Sequence, residues 1–478
     1  TLRLFFEELR TVNTPRHSTT NTKTELLILF HLTLPILLTQ VAQAGYGLID
    51  TLMAGRVSPA DLAAVAVGTG LWFPIVLLIS GILMATTPLV AAAVGANQRT
   101  QVPHITRQSL WVALGLGVLG FGLLRLSPLL FAPLGVPDNL QAMTTTYLQG
   151  VSYGVPAMAI YGTLRGYSEA LGHPRAVTVI SLLGLACNVP LNYAFIYGYG
   201  IIPAMGGPGC GYATAILMWS MTGLLAAYVS VAKHYQDIRL LNHFEWPERQ
   251  TIVKILTLGI PIGIAIFFEV SLFSLAALIL SPLGETVVAA HQIALSVTSQ
   301  LFMIPLALAM ALTIRIGQLY GEQNWPTLHL VRRLGFISST VLAFGTMLLI
   351  ALLRHDMARA YSSDLDVQAL AVYLLLFALA YQLVDAWQVT AAGMLRGMQD
   401  TQATMWITLF CYWGVALPLG IYWSRVLHYG AAGLWAGLVL GLGLASMMLA
   451  WRLHWLQQRI KQRIGLPPPP NKNPSSSH

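Results

Sequence analysis

The chain has 478 residues, of which 56% are hydrophobic and only 9% are charged, and its mean hydropathy is +0.66. Soluble globular domains carry about 25% charged residues, so this composition excludes an ordinary soluble protein. Because a helix crosses a bilayer with about 20 apolar residues, the chain has room for many spans. The composition therefore predicts a polytopic membrane protein.

The net charge of +8 comes from 26 Lys and Arg against 18 Asp and Glu. No basic run is interleaved with aromatic residues as on a nucleic-acid-binding surface, so no nucleic-acid partner is expected. Cys187, Cys210 and Cys411 form no CxxC pair and indicate neither a disulfide framework nor a zinc site. The basic residues are informative about orientation in the membrane instead.

Twelve apolar runs, bounded by polar residues or by Gly and Pro, predict twelve membrane-spanning helices. In chain order they are expected at 26–50, 62–90, 107–131, 142–165, 176–198, 209–232, 251–280, 286–314, 333–353, 367–395, 402–424 and 430–455. The N-terminal segment lacks the apolar core of a cleaved signal peptide, so the first run is expected to remain as a span. The short connections leave no room for a soluble catalytic domain.

The predicted organisation has five parts. They are a cytoplasmic N-terminal segment (1–25), a first lobe of six helices (26–232), a cytoplasmic loop between the lobes (233–250), a second lobe of six helices (251–455) and a cytoplasmic tail (456–478). The tail contains four consecutive prolines followed by polar residues, and we expect it to be disordered.

Lys and Arg fall unevenly on the two sides of the predicted spans. The side that holds both termini collects about four times as many as the other side. Five basic residues fall on the opposite side: Arg56, Arg125, Arg354, Arg359 and Arg425. Because basic residues near span ends are retained in the cytoplasm, both termini are expected there, in a multi-pass protein of the bacterial inner membrane.

The two halves of the chain repeat one another. A shift of 226 residues pairs Leu34-Pro35-Ile36 with Ile260-Pro261-Ile262, Ala63-Ala64 with Ala289-Ala290, Gly95 with Gly321, and Tyr147 with Tyr373. Slightly different shifts pair Leu164-Arg165-Gly166 with Leu395-Arg396-Gly397, Pro190-Leu191 with Pro418-Leu419, and Gly211 with Gly433. An ordered series of matches across six helices indicates an internal duplication.

Six helices is an even number, so both copies have the same orientation in the membrane. The predicted fold is an all-α integral membrane protein, with twelve transmembrane helices in two six-helix lobes related by a parallel pseudo-two-fold repeat. Such a fold places a cavity between two lobes that rock around it, which favours a secondary transporter. Duplicated packing without transport is the alternative.

The absence of several motifs limits the possible energy sources for transport. The chain contains no Gly-Lys dipeptide and therefore no phosphate-binding GxxxxGK[ST] loop, and it contains neither HExxH nor GxSxG. No cofactor and no enzymatic activity are expected. Transport is expected to use an ion gradient or downhill flow of the substrate.

Acidic residues inside spans are candidates for function, because a charge in the bilayer is energetically costly. Glu269 lies in the middle of the seventh predicted helix and Asp385 in the middle of the tenth, with Tyr381 one turn before Asp385 on the same face. Glu269 and Asp385 are candidate ligands for a hard cation such as Na⁺, and they could instead hold a proton. The alternative is a protonated carboxyl group that makes one interhelical hydrogen bond.

A second polar cluster is predicted in the first lobe. Asp50 ends the first predicted helix, and Gln43 precedes it by two turns on the same face. Asn188 and Asn192 lie one turn apart in the fifth helix, where both function and helix packing remain open. Other acids, such as Asp61, are placed in loops and are expected to be solvated.

Three segments in order carry a resemblance to a known family. They are Gly47-Leu48-Ile49-Asp50-Thr51-Leu52-Met53-Ala54-Gly55, then Phe267-Phe268-Glu269-Val270 with Val288-Ala289-Ala290-His291-Gln292, and Asp385-Ala386-Trp387-Gln388-Val389 leading to Leu395-Arg396-Gly397. These segments resemble the multidrug and toxic compound extrusion (MATE) transporters, specifically the NorM branch. The resemblance covers nearly the whole chain.

The resemblance implies export of organic cations by alternating access, in exchange for Na⁺ or H⁺. The positions that match the family's second-lobe cation site are Glu269, Asp385 and Tyr381, and those that match its first-lobe polar site are Asp50, Asn188 and Asn192.

Candidate contacts to a flat organic cation are Phe267, Phe268, Trp387 and Gln292. Aromatic rings attract cations through their faces, although aromatic residues in spans also serve packing and anchoring. The expected partners are cationic drugs or dyes and the lipid bilayer, and a monomer is expected. The alternative function is a lipid-linked precursor flippase, which the buried acids disfavour because anionic headgroups call for a basic cavity.

Overall fold

The computed structural model describes residues 21–133, 135–200, 202–235, 240 and 243–464. They form twelve long helices, numbered here in chain order. Their bounds are α1 Thr22–Val57, α2 Pro59–Gly95, α3 Gln101–Leu130, α4 Asp138–Ala170, α5 Pro174–Tyr197, α6 Gly207–Val231, α7 Arg249–Leu283, α8 Glu285–Glu322, α9 Trp325–Tyr361, α10 Leu365–Gly397, α11 Thr401–Val426 and α12 Gly430–Ile464. Apart from one isolated bridge between Tyr199 and Ile202, this part of the chain has no β-structure.

The predicted all-α membrane fold is confirmed. Within the described ranges, eleven helices are long and apolar enough to cross a membrane by length and composition. The one remaining long helix of the described ranges, α4, carries polar side chains that include Thr144, Arg165 and Glu169. It tolerates them because it packs against α2, α3 and α6 inside its lobe, where Thr144 and Glu169 are buried.

The first helix begins before residue 26, its predicted start. Asn21 caps α1 by accepting a hydrogen bond from the backbone N–H of Lys23 at 3.1 Å. Glu25, which the prediction left in a polar segment, is buried in the first turn. The rest of the predicted N-terminal segment, residues 1–20, lies outside the described residues.

The last helix continues to Ile464, past its predicted end at residue 455. The guanidinium groups of Arg452 and Arg459 lie 4.4 and 3.8 Å from the centre of the Trp455 ring. These cation–π contacts stabilise the turns that the hydropathy pattern missed. The remainder of the predicted tail, residues 465–478, lies outside the described part of the chain.

Asp61 is buried, which contradicts the expectation that it is solvated. Its carboxylate accepts hydrogen bonds from the Ser58 hydroxyl at 2.5 Å and from the Gly207 backbone N–H at 2.6 Å. Ser58 is the N-cap of α2, and Asp61 lies in its first turn, where a negative charge interacts favourably with the helix dipole. Asp61 therefore fastens the start of α2 to the start of α6.

The two halves of the chain repeat the same helix packing. In the first lobe, α1 packs against α5, and α4 packs against α2, α3 and α6. In the second lobe, α7 packs against α11, and α10 packs against α8, α9 and α12. Each pair in one lobe corresponds to the pair six helices later, as the predicted duplication requires.

The lobes approach most closely where α2 passes α8. A Cβ atom on Gly95 would lie 1.8 Å from the carbonyl oxygen of Gln318, and one on Gly321 would lie 2.0 Å from the carbonyl oxygen of Ala92. Gly95 and Gly321 are partners in the repeat, and the same shift relates Ala92 to Gln318. The pseudo-two-fold axis therefore passes through this contact, and only glycine leaves room for it.

Further contacts join the lobes on the same side, where α1 begins and α2 and α8 end. We call this the N-terminal side. Arg315 on α8 donates two hydrogen bonds to the Glu25 carboxylate on α1, at 2.6 and 2.8 Å. Gln318 donates to the carbonyl oxygen of Ala170 at the end of α4, at 3.1 Å. These contacts hold the two lobes together on the N-terminal side.

The segment between the lobes is fastened to α3. The two ring nitrogens of His104 lie 2.8 Å from carboxylate oxygens of Glu245 and Glu248, one from each. Arg107 forms an ion pair with Glu245. The predicted loop between the lobes is thus bound to the surface of the first lobe at the N-terminal side.

Substitution of Gly95 should destabilise the crossing of the lobes. Gly95→Ala forces the new methyl group into the backbone of α8, an overpacking that costs about 1–3 kcal/mol. Thermal unfolding of the purified protein in detergent should show a fall in Tm of roughly 1–3 °C. Gly122→Ala in α3 is the matched control, because no atom lies within 4 Å of its Cβ position. Equal Tm values for the two variants would contradict the close crossing.

Glu245 should stabilise the protein in a pH-dependent way. Partial burial raises the pKa of its carboxyl group, but hydrogen bonds from His104 and the charge of Arg107 outweigh that effect and lower the pKa below its usual value. A depressed pKa contributes stability that is fully present above the unfolded-state pKa and is lost as pH falls through the folded-state pKa.

We therefore expect Glu245→Gln to lower Tm by up to about 1 °C near pH 7, and this deficit to shrink as the pH falls below about 4.3. Thermal unfolding across a pH series measures this, with the exposed Glu322→Gln as control. A deficit of the Glu245 variant that persists at acid pH would show that its effect is not electrostatic.

Candidate functional site

The second lobe brings four side chains with ionisable groups together between its helices. Glu269 lies in the middle of α7, Tyr381 and Asp385 on α10, and Tyr412 on α11. The Phe273 ring on α7 packs edge to face against Tyr381, with ring centres 6.3 Å apart. Contacts of α7 with both α10 and α11 therefore position the predicted cation-site residues around one point.

Asp385 is fully buried, and neither of its carboxylate oxygens has a hydrogen-bond partner among the described residues. Glu269 is near enough for the two carboxyl groups to repel each other when both are ionised. The hydroxyl group of Tyr412, also buried, has no partner either. Because buried polar groups are almost always hydrogen-bonded, these oxygens are free to accept a cation or a proton.

Glu269 opens onto a small cavity of about 20 Å³, enough for roughly one water molecule or small ion. The walls include Gln388 and Arg396 from α10 and Thr404 from α11. Gln388 is buried, and its carbonyl oxygen has no partner within the described residues. The cavity thus places a carboxylate, an amide and a guanidinium group around one space.

Behind the acids lies a layer of aromatic rings. Trp435 on α12 packs edge to face against Tyr381, with ring centres 5.8 Å apart, and its indole N–H donates to His291 Nδ1 at 3.2 Å. His291 is fully buried, and its other ring nitrogen has no partner in the described structure. Trp435 therefore links Tyr381 of the acidic cluster to His291 on α8.

The first-lobe acid is, by contrast, fully hydrogen-bonded. Asp50 Oδ1 accepts from the side-chain amides of Asn192 at 2.6 Å and Asn188 at 3.3 Å, and Oδ2 accepts from the Thr214 hydroxyl at 3.0 Å. All four side chains are buried where α1, α5 and α6 meet. The Asn192 carbonyl oxygen has no partner in the described structure.

Gln43 does not join this cluster. Its carbonyl oxygen accepts a hydrogen bond from Arg165 on α4 at 3.0 Å, and Gln40 accepts from the same guanidinium group at 2.9 Å. Glu169, one turn after Arg165, completes the network with a hydrogen bond at 2.7 Å. Gln43 therefore belongs to a buried charge network separate from Asp50.

The candidate substrate contacts are placed differently from one another. Phe267 and Gln292 are exposed, whereas Phe268 is partly buried against Trp413, with ring centres 5.4 Å apart. Trp387 donates its indole N–H to Thr340 on α9 at 2.9 Å. Trp387 thus lies against α9, on the side of α10 away from Asp385.

Three residues that the sequence argument did not single out belong to the two sites. Thr214 completes the shell of Asp50, Tyr412 joins the second-lobe acids, and Arg396 lines the Glu269 cavity. No sequence pattern marked Thr214 or Tyr412, because their roles depend on which helices become neighbours. Arg396 did carry a signal, since a basic residue in a repeated motif inside a helix is unusual.

The combined geometry suits reversible binding of a small cation. In the described ranges, no group of three or more His, Cys, Asp and Glu side chains is placed to hold a metal ion. Two carboxyl groups with tyrosine and amide oxygens offer the oxygen ligands that a hard cation prefers.

The sequence of this chain matches the MatE family and individual relatives over most of its length. The MatE family profile matches residues 35–194 and 261–422, one segment in each lobe. A probable multidrug resistance protein NorM of Acinetobacter baylyi is 56% identical over 439 residues, which cover 92% of this chain and 98% of the relative. Multidrug resistance protein PmpM of Pseudomonas aeruginosa is 43% identical over 436 residues, which cover 90% and 91% of the two chains.

Solved structures share the fold. The crystal structure of the eukaryotic MATE transporter AtDTX14 matches with a TM-score of 0.83 at 16% identity, covering 93% of this chain and 99% of the other. An outward-facing conformation of a multidrug resistance MATE family transporter matches with a TM-score of 0.82 at 20% identity, covering 94% and 100%. At these identities, the likeness establishes the fold alone.

Loss of the Thr214 hydroxyl group should destabilise the first-lobe cluster. Thr214→Val keeps the shape of the side chain but removes one donor from the buried Asp50, at a cost of about 1–3 kcal/mol. Thermal unfolding at neutral pH should show a Tm lower by roughly 1–3 °C. The control is Thr51→Val, because the Thr51 hydroxyl is exposed and bonds to the carbonyl oxygen of Gly47 in its own helix. A larger loss in the control would refute the assignment.

Proposed function

Because this chain belongs to the MatE family of multidrug and toxic compound extrusion transporters, we propose that it exports organic cations in exchange for Na⁺ or H⁺. Its family membership makes it a membrane transporter of the multidrug efflux type and not an enzyme. The main support for coupled exchange is the environment of Asp385. Its carboxyl group is fully buried, and neither of its oxygens has a hydrogen-bond partner among the described residues.

The coupling site consists of Glu269, Asp385 and Tyr381. An ionised carboxyl group in this position is costly until a cation neutralises it, because the surrounding helices are apolar. Na⁺ binding and protonation both remove the charge, so the same residues serve either coupling ion. The nearby hydroxyl of Tyr412 supplies a further oxygen ligand for Na⁺ or a hydrogen bond to the protonated acid.

Exchange follows from competition between two cations for one negative cluster. Binding of Na⁺ or H⁺ neutralises the acids and weakens the attraction of the lobe for a cationic drug. The ion-free form then has a higher affinity for the drug. Coupling requires only that ion and drug differ in affinity between the two states of the lobes.

The access route follows from the contacts between the lobes. The lobes are joined on the N-terminal side by Gly95 with Gln318 and by Glu25 with Arg315. With both termini in the cytoplasm of a bacterial cell, this arrangement closes the cytoplasmic entrance and directs the cavity outwards. The inward-facing state then requires separation of Glu25 from Arg315.

The first-lobe cluster around Asp50 acts as a second polar site that responds to the substrate or to a proton. Its carboxyl group is held by Asn188, Asn192 and Thr214, so it needs no cation for satisfaction. This difference makes the second lobe the primary site for the coupling ion. The exposed Phe267 and Gln292 are candidate contacts for the drug.

Efflux of a fluorescent organic cation from proteoliposomes tests the proposal. A Na⁺ gradient and a pH gradient are imposed separately on the wild type and on Glu269→Gln, Asp385→Asn and Asp50→Asn. We expect one of the gradients to drive efflux, and Glu269→Gln and Asp385→Asn to reduce the driven rate by at least about tenfold, because each removes one of the two charges that bind the ion.

The exposed Glu322→Gln is the control for reconstitution and should transport like the wild type. If Asp50→Asn abolishes driven efflux while the second-lobe variants retain it, the coupling site lies in the first lobe instead. If neither gradient drives efflux of the dye by the wild type, the antiport proposal is wrong, and flipping of a lipid-linked precursor becomes the next function to assay.

A further inference from the structure

The repeat relates Glu269 and its neighbour Arg396 to a pair in the first lobe. The shift of 226 residues places Glu269 on Gln43, and the repeated Leu-Arg-Gly motif places Arg396 on Arg165. Arg165 donates a hydrogen bond to Gln43 at 3.0 Å. Two residues that touch in the first lobe thus correspond to an acid and a base that line one cavity in the second lobe.

The charge of Arg165 is balanced within the first lobe. Glu169, four residues later on α4, accepts its hydrogen bond at 2.7 Å, and the two side chains are almost completely buried together. Gln40 accepts a further hydrogen bond. This network is a closed ion pair with no net charge.

The equivalent pair does not form in the second lobe. Asp400 lies four residues after Arg396, but its carboxylate accepts a hydrogen bond from Arg452 on α12 at 2.7 Å. Under the repeat, Ile266 occupies the position of Gln40. Within the described residues, the Arg396 side chain makes no hydrogen bond, and it interacts electrostatically with Glu269 across the cavity.

The second-lobe site therefore contains two carboxyl groups, Glu269 and Asp385, and one guanidinium group. With all three ionised, its net charge is −1, and one monovalent cation makes it neutral. We propose that Arg396 is the fixed counter-charge of this site, a positioning residue that attracts Glu269 across the cavity and limits the site to one monovalent cation. This inference rests on the proposed coupling site.

Both parts of the proposal follow from the cost of unbalanced charge in an apolar lobe. Without Arg396 the empty site would carry −2 and would attract a second cation. With Arg396, its positive charge across the cavity repels an incoming cation, so the arginine also weakens binding of the first cation. Removal of the arginine should consequently raise both the number of ions bound and the affinity for the first.

Equilibrium binding to the purified full-length protein in detergent tests this directly. Radioactive Na⁺ is titrated at fixed pH while a pH dye follows protons taken up or released. The wild type should bind about one equivalent of Na⁺ or of protons, and Arg396→Gln should bind about two, with the first bound at least about tenfold more tightly. Arg396→Lys keeps the charge and should return the number to that of the wild type.

Two further variants separate charge from folding. Gln388→Glu adds a carboxyl group to the same cavity without touching Arg396, and should raise the number of ions bound as Arg396→Gln does. The double variant Arg165→Gln, Glu169→Gln removes the equivalent ion pair from the first lobe and should leave the number unchanged. Thermal unfolding of each variant checks that it is folded before binding is measured.

The outcomes distinguish a wrong role for Arg396 from a wrong coupling site. If Arg396→Gln and Gln388→Glu bind the same number of ions as the wild type with unchanged affinity, the counter-charge proposal is wrong while the coupling site stands. If Arg396→Lys behaves like Arg396→Gln, the guanidinium geometry matters rather than its charge, and the proposal also fails. If the wild type binds no more ions than the double variant Glu269→Gln, Asp385→Asn, the coupling site itself is misplaced.

Discussion

A carboxyl group buried between apolar helices must find a partner, and Asp385 has none within the described protein. In the second lobe, three helices carry the two acids and two tyrosines of the candidate site, and Glu269 lines a small cavity. Trp435 packs against one of these tyrosines, Tyr381. On the proposed function, an incoming ion would supply the partner that this carboxyl group lacks. The first lobe shows the opposite solution, because Asp50 is surrounded by donors from its own lobe.

The difference between the lobes arises from few substitutions on a common plan. Helix packing is equivalent in both halves, and the closest crossing lies on the pseudo-two-fold axis between them. In the second lobe, Asp400 accepts a hydrogen bond from Arg452, whereas in the first lobe the corresponding acid, Glu169, accepts one from Arg165. The two copies thus share their helix packing and differ in the distribution of their ion pairs.

The fold could be predicted from the sequence because its signals are local. Runs of apolar residues mark the spans, and the spacing of repeated motifs marks the duplication. The grouping of Asp50 with Asn188 and Asn192 also agrees with the structure, since one helical turn separates the two amides. Gln43 was grouped wrongly with Asp50 because two turns of helix, about 10 Å, let a side chain from α4 reach it first.

The remaining residues of the sites depend on tertiary neighbours. Thr214, Tyr412 and Arg396 join the two sites only because α6, α11 and the end of α10 pack where they do. A pattern along one helix cannot reveal a partner on another. Asp400 illustrates this limit, because it follows Arg396 by four residues but lies beyond the end of α10, and its carboxylate accepts a hydrogen bond from Arg452 on α12.

The glycine contact between α2 and α8 also has a mechanical consequence. It lies near one end of both helices, and a helix as long as α8 measures about 55 Å at 1.5 Å per residue. A contact of backbone against backbone at one end acts as a fulcrum with a single long arm. Rotation by about 10° around it would displace the far end of α8 by roughly 10 Å, while the glycines themselves hardly move. Any rotation of the lobes about this contact would therefore move the opposite face much farther than the glycines.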